Sequence, residues 1–159
     1  MLEGNGPALP PAGSVLDEGL LALFGEHGNG NLVTLKRDGR PQMSVVSYAF
    51  DAAKRTIQVS VTESRAKSRN LRRDPRASFM VTGPGMEVYV VGEGIAALTP
   101  PATDPQDATV EATVILYRAI VGEHPDWDAF RAALVADQRV VLTLPLDHVY
   151  GWTGPADQD

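Results

Sequence analysis

Alternation of apolar and polar residues is the strongest pattern in this chain, and it predicts six β-strands. Ile57, Val59 and Val61 are separated by polar residues, as in a strand with one buried face. Asp38 and Gly39 lie between two such stretches and predict a hairpin, because glycine accepts the positive φ of a tight turn. The predicted strands are residues 31–36, 41–50, 56–61, 77–82, 87–98 and 140–146.

Apolar residues at helical spacing predict four helices around these strands. In the first, Leu16, Leu20 and Phe24 fall on one face. Polar residues that can accept a hydrogen bond from the first turn mark the predicted helix starts, and glycine or a residue before proline marks several ends. The predicted helices begin at Ser14 (with Asp17 completing the cap), Ser64, Asp104 and Asp126, and end at Gly25 to Gly28, Asp74, Gly122 and Asp137.

The order of these elements does not fit the regular strand–helix alternation of a parallel sheet. Hairpins joined by short turns indicate an antiparallel sheet with helices around it. Gly92 and Gly94 predict a bulge or sharp bend in the strand at 87–98, and closing the sheet into a barrel would remove its edges. We therefore predict a mainly β (α+β) fold, a six-stranded antiparallel barrel with peripheral helices, in one domain at residues 14–152. Residues 1–13 are predicted to be a flexible leader and residues 153–159 a flexible tail.

Composition narrows the class of protein. The chain has 159 residues, 43% hydrophobic and 21% charged, which is typical of a globular domain. It has no cysteine, and its three histidines show no ligand spacing, so we predict neither a disulfide nor a metal site. A sequence pI near 5.0 argues against a nucleic-acid or membrane-surface role. No signal peptide or membrane-spanning run is recognised, so a cytoplasmic protein is expected.

Positive charge is concentrated in one short segment. Residues 64–76 contain six of the 14 basic residues and one acid, whereas the other 146 residues hold eight bases and 19 acids. Arg65 and Lys67 lie at the predicted start of a helix, where free backbone N–H groups and the helix dipole favour an anion. The segment therefore indicates a phosphate site, although a solvated basic face is the alternative. The remaining bases, predicted to serve the surface or an interface, are Arg69, Arg72, Arg73 and Arg76.

Several stretches together resemble a known family. LKRDGRPQMS, ESRAKSRNLRRDPRA, GEGIAALTPP, VEATVILYRAIVGEHPDW and RVVLTLPLDHVYGW are similar to the actinobacterial, coenzyme F420-dependent branch of the pyridoxamine 5'-phosphate oxidase-like (PPOX class) superfamily. The resemblance covers residues 15–152. It implies a split β-barrel and a homodimer with two cofactor sites at the subunit interface.

The resemblance also implies which residues bind the cofactor. The phosphate of a flavin or deazaflavin would meet Arg65, Lys67 and Ser68, and the ring would lie along the second strand. Relatives often carry a polar residue at the position of Val45, so here backbone contacts would replace that side chain. No catalytic acid or base is assigned, because the cofactor performs the reaction and the protein orients it. The implied cofactor-binding residues are Gln42, Met43, Ser44, Val45, Ser60, Arg65, Ala66, Lys67, Ser68 and Asn70.

The function implied is hydride transfer from reduced F420 to an unsaturated, quinone-like or tetrapyrrole small molecule. Two alternatives stay open: an FMN-binding oxidoreductase of the same fold, and a non-enzymatic carrier of flavin, deazaflavin or a haem-like ligand. Arg65 and Lys67 do not separate F420 from FMN, because both cofactors carry a phosphate. The chain ends in LPLDHVYGWTG rather than an Arg/His-rich substrate signature, which argues against pyridoxamine phosphate oxidation. His148 is interpreted as a structural hydrogen-bonding residue.

Overall fold

The computed structural model describes residues 16–155. The predicted leader, the contribution of Ser14 to the first helix cap and the last four residues of the predicted tail lie outside that range. Within it, no helix is long and apolar enough to cross a membrane. The elements in chain order are α1 (Glu18–Ala22), β1 (His27–Leu35), β2 (Pro41–Asp51), β3 (Thr56–Thr62), α2 (Ala66–Arg73), β4 (Arg76–Thr82), β5 (Tyr89–Ile95), β6 (Ala97–Leu98), α3 (Ala108–Ile120), α4 (Trp127–Ala136), β7 (Arg139–Pro145) and β8 (His148–Trp152).

The strands form one antiparallel sheet in the order β6-β7-β3-β2-β1-β4-β5-β8. Two short connections join the ends of this order. The chain passes from β5 directly into β6, which pairs with β7, and it passes from β7 directly into β8, which pairs with β5. A Cβ atom at Gly94 would lie 2.0 Å from the carbonyl oxygen of Pro145, so glycine is needed where β5 passes β7. The sheet therefore curls into a barrel, and the predicted fold class is confirmed.

Alternate residues of the strands fill the barrel interior. Leu32, Ile57, Phe79 and Leu142 have no exposed surface and come from four different strands. A Cβ atom at Gly30 would lie 2.4 Å from the Phe79 ring, so this position of β1 leaves room for that ring. Helix α1 covers one end of the barrel, and the buried Tyr48 hydroxyl donates a hydrogen bond to the carbonyl oxygen of Phe24. The alternation of apolar and polar residues in the sequence thus reflects strands that bury one face in the barrel interior.

The barrel has eight strands in the described part of the chain, where six were predicted. The predicted strand at 87–98 divides at Ala96, where its partner changes: the Ala96 N–H still donates to the carbonyl of Pro75, directly before β4, and from Ala97 the chain pairs with β7. Strand β8 was missed because it is short and contains Gly151. A Cβ atom there would lie 2.1 Å from the Tyr89 carbonyl oxygen, so the glycine permits close pairing with β5 rather than ending the strand.

Three predicted boundaries are corrected. β1 begins at His27, four residues earlier than predicted, so Gly28 belongs to a strand. Helix α2 is capped by Arg65 rather than Ser64, and its end at Asp74 agrees with the prediction. Helix α3 is capped by the Asp107 carboxylate, which accepts the N–H of Val110, rather than by Asp104.

Candidate cofactor site

A cleft opens where β2 and β3 separate. The two strands pair only at the turn between them, from Asp51 opposite Thr56 to Ala49 opposite Gln58. Beyond that point β3 stays paired with β7 along its whole length, while the preceding half of β2 stays with β1. The gap is about 560 Å³, with Ser47 on one side and Ser60 on the other. Ser60 thus lines the cleft, and its contact with a cofactor stays a prediction.

One end of this cleft is positively charged. β3 ends at Thr62 and α2 starts four residues later. Arg65 and Lys67 therefore line the end of the gap that is farther from the β2–β3 turn. A third cation, Arg139, comes from the first position of β7, directly opposite Thr62 in the ladder. Three cations from two distant parts of the chain therefore line the same opening.

The bases of the 64–76 segment divide into two groups. Four of them are held by carboxylates or backbone carbonyls: Arg72 by Glu63, Arg76 by Asp74, Arg69 by the Ser64 carbonyl and Arg73 by the Leu35 carbonyl. Within residues 16–155, the Arg65 and Lys67 side chains make no salt bridge and no hydrogen bond. Their charge is available to a ligand.

Lys67 is less exposed to solvent than Arg65. It is half-buried, and burial lowers the pKa of its ammonium, with smaller contributions from the neighbouring charges of Arg65 and Arg139. All three causes disfavour the charged form, and all three would be offset by an anion in the cleft. A half-buried lysine with no carboxylate partner in the described residues, beside a cleft, is a candidate ligand-binding residue.

Ser68 and Ala66 do not line the cleft. The Ser68 side chain is fully buried, and its hydroxyl donates to the Thr62 carbonyl at 2.7 Å, which ties the start of α2 to the end of β3. Ala66 is exposed on the outer side of the helix. Ser68 therefore positions Lys67, its neighbour in sequence.

Gln42 and Asn70, both implied as cofactor-binding, contact each other. The Asn70 amide donates to Gln42 Oε1 and to Thr34 Oγ1, each at 3.1 Å, and Asn70 is buried. Ser44, half-buried, lies on the same face of β2 as Gln42. The hydrogen bonds of Gln42 and Asn70 fix α2 against the β1–β2 hairpin, and cofactor binding by Gln42, Ser44 and Asn70 stays a prediction.

Met43 and Val45 lie on the outer face of the sheet, 62% and 72% exposed. They do not line the cleft; its β2 wall is made by Val46 and Ser47 instead. The outer face continues through the paired strands β1, β4, β5 and β8, where Ile95 is 54% exposed and Trp152 is 51% exposed. The exposed apolar side chains of this face are interspersed with charged ones, Arg76 and Glu93.

The opposite wall of the cleft is apolar and comes from α3 and α4. Leu116 and Leu134 are buried there, and the rings of Tyr117 and Phe130 pack 4.7 Å apart between centroids. The cleft therefore suits a ligand with an anionic end and an apolar body. In the sequence Tyr117 lies at helical spacing from Val110 and Val114, a pattern that predicts a buried helix face but gives no sign that this face also borders a cleft.

Groups for metal or acid–base chemistry are sparse. In the part of the chain that the structure describes, no group of three or more His, Asp or Glu side chains could hold a metal ion. None of the three histidines lines the cleft. His148 instead lies on β8, with Nδ1 3.4 Å from Glu93 Oε2 of the paired strand. The donor set of the cleft, two free cations and small hydroxyl residues, fits a phosphate-bearing cofactor.

Comparison with known proteins defines the class. The family described as pyridoxamine 5'-phosphate oxidase matches residues 16–153, and the chain belongs to this family. Among solved structures, an F420 reductase has 24% sequence identity and a TM-score of 0.65, covering 84% of this chain and 98% of that one.

Two mycobacterial structures have the same fold. Conserved hypothetical protein Rv2991 from Mycobacterium tuberculosis has 22% identity and a TM-score of 0.67, covering 91% of this chain and 89% of its own. A heme binding protein from Mycobacterium smegmatis has 22% identity and a TM-score of 0.64, covering 89% of this chain and 55% of its own. These likenesses confirm the split-barrel fold, and the family match confirms the superfamily; the F420-dependent, actinobacterial branch stays a prediction.

Proposed function

We propose that the protein is a cytoplasmic, homodimeric oxidoreductase that binds coenzyme F420 and reduces an unsaturated, quinone-like or tetrapyrrole small molecule. The observation that carries the proposal is the pair of free cations, Arg65 and Lys67, at the end of an apolar cleft. Membership of an oxidoreductase-containing family and the shared fold with an F420 reductase support it.

The chain's own groups would bind and orient the cofactor. Arg65 can grip a phosphate with two N–H donors, and the Lys67 ammonium adds a third at close range. The apolar side chains of α3 and α4 would exclude water from the ligand body. A reduced deazaflavin bound here would supply a hydride to the acceptor.

Dimerisation is part of the proposal. Exposed apolar side chains grouped on one face of a sheet mark a candidate interface, and the outer face carries three of them, Met43, Val45 and Ile95. We propose that a second copy covers it, with the cofactor ring near that interface. This arrangement would bring Met43 and Val45, which do not line the cleft of one chain, close to the ring.

FMN is the alternative cofactor, since the same cations would bind its phosphate. Carriage of a haem-like ligand is the other alternative, and a heme binding protein shares the fold. The cleft-lining residues within 16–155 include Tyr117 and no histidine, and the His124 ring packs against the lining ring of Phe130 with centroids 5.1 Å apart.

The test is a fluorescence titration of the purified protein with F420 and with FMN. Oxidation of reduced F420 is then followed against alkene, quinone and biliverdin acceptors. Saturable F420 binding with acceptor-dependent oxidation is expected. Binding of FMN alone would favour the flavin alternative, and F420 binding without turnover of any acceptor would favour a carrier. If neither cofactor binds, the proposed function is wrong.

A further inference from the structure

Arg139 is a cation of the cleft that the segment at 64–76 does not supply. It lies about 70 residues further along the chain, yet the β3–β7 ladder places it opposite Thr62, next to the start of α2. Its charge is close enough to lower the pKa of Lys67. The three cations thus form one cluster at the end of the cleft.

The backbone around Arg139 is firmly placed. Its carbonyl accepts the N–H of Ala102 at 2.8 Å, and the carbonyl of Gln138 accepts the N–H of Glu63 at 3.1 Å. Gln138 has a positive φ of 49°, which turns the chain from the end of α4 into β7. The backbone at Arg139 is therefore held by contacts on both sides of β7.

The Arg139 side chain is only weakly engaged. Its nearest carboxylate is Asp137, with Nε 3.9 Å from Oδ2, which is beyond direct hydrogen-bond distance. Within residues 16–155 its guanidinium donates no hydrogen bond. Asp137 is also the one carboxylate among the cleft-lining residues, so the described cleft carries three positive charges and one negative charge.

We propose that Arg139 completes the anion site and that Asp137 is its counterion in the ligand-free protein. A phosphate entering between Arg65, Lys67 and Arg139 would replace the long Asp137 contact with direct, charge-assisted hydrogen bonds. Arg139 then makes the site selective for the phosphorylated form of a ligand. Asp137 weakens binding by competing for the same guanidinium. This inference rests on the proposed function, because it assigns the anion to the cofactor's phosphate.

The test compares ligands with and without the phosphate. Kd is measured by fluorescence for FMN and riboflavin, which differ only in the phosphate, and for F420 and its deazaflavin core without the phosphate arm, with wild type and three variants. Arg139→Gln should raise the Kd of the phosphorylated ligand about tenfold, the effect of losing one charged hydrogen bond, and leave the dephosphorylated ligand unchanged. Asp137→Asn should lower the Kd of the phosphorylated ligand. Arg139→Lys, which keeps the charge, should recover part of the affinity.

The matched control is Arg55→Gln. Arg55 is also paired with a carboxylate, that of Glu18, and its side chain is 37% exposed against 35% for Arg139, but it does not line the cleft. Its Kd values should equal those of wild type. Circular dichroism establishes that each variant folds; if Arg139→Gln does not, the opposite shifts expected of Asp137→Asn and Arg139→Lys decide the matter.

Failure of this inference is distinct from failure of the proposed function. Equal Kd values for wild type and Arg139→Gln, or equal losses for both members of a ligand pair, would overturn the role of Arg139. If wild type binds neither cofactor, the proposed function fails, and inorganic phosphate followed by ³¹P NMR becomes the probe. Phosphate binding that is lost in Arg139→Gln would still support the anion site; its absence in wild type would overturn it.

Discussion

Replacing Lys67 by methionine should weaken cofactor binding while leaving the ligand-free fold intact. Lys67→Met keeps the unbranched aliphatic chain, so packing changes little and the charge is what is lost. A hydrogen bond to a charged group contributes about 1.5–3 kcal/mol. Because the cleft is open to solvent, we expect the lower part of that range, about 1.5 kcal/mol, or roughly a tenfold higher Kd.

The same substitution, Lys67→Met, should not lower the stability of the ligand-free protein, although it weakens cofactor binding. The pKa of Lys67 is lowered in the folded protein by burial, then by Arg65 and Arg139, so between that value and 10.5 the unfolded chain binds more protons than the folded one. Lys67 therefore makes the folded state less stable at neutral pH, and this penalty disappears as the pH rises through that window. Lys67→Met should keep or raise the melting temperature of the ligand-free protein at pH 7 and remove this part of its alkaline pH dependence.

The assay combines fluorescence titration with thermal unfolding, without and with cofactor. Lys54→Met is the matched control, since Lys54 is exposed on the β2–β3 turn and far from the cleft. An unchanged Kd would remove Lys67 from the site. A weaker Kd accompanied by an equal loss of ligand-free stability would show a structural role instead.

Three further predictions concern the dimer, the barrel end and the helix support. Val45→Glu should convert a dimer to a monomer in sedimentation velocity, because it places a charge on the most exposed apolar residue of the outer face; an unchanged sedimentation coefficient would contradict the proposed interface. Tyr48→Phe should cost about 1–3 kcal/mol in urea unfolding, since it leaves the buried Phe24 carbonyl without its donor. Burial also raises the pKa of Tyr48 to about 12 from 10.0, so wild type should lose stability between pH 10 and 12 in a step that Tyr48→Phe lacks. Asn70→Ala should lower stability by about 1–3 kcal/mol through the loss of its hydrogen bond to Gln42, and intact stability with lost cofactor binding would show a direct binding role instead.

Much of the fold could be read from local patterns. Alternation identified the hairpin at Asp38 and Gly39 and the half-buried strand β3, because one buried face imposes a period of two wherever the strand lies. The predicted strand boundaries were wrong where a contact between distant segments determines the structure. Gly151 ends no strand, because its missing side chain is what lets β8 approach β5.

Some residues of the candidate site could also be placed from local sequence, and others only from the tertiary structure. Arg65 and Lys67 follow β3 directly, so the sequence alone places them at a strand end and beside a helix start. By contrast, Gln42 and Asn70 are brought together by the packing of α2 on the hairpin, and no local pattern indicates that these two side chains would bond to each other.

The sequence by itself determined where positive charge is concentrated and which faces of the strands are buried, because both depend on neighbours along the chain. Tertiary structure alone decided that β2 leaves β3 to open a cleft, that α3 and α4 wall it, and that Arg139 joins Arg65 and Lys67. These depend on strand pairings between distant segments, whose register follows from packing of the whole barrel rather than from any short stretch of residues.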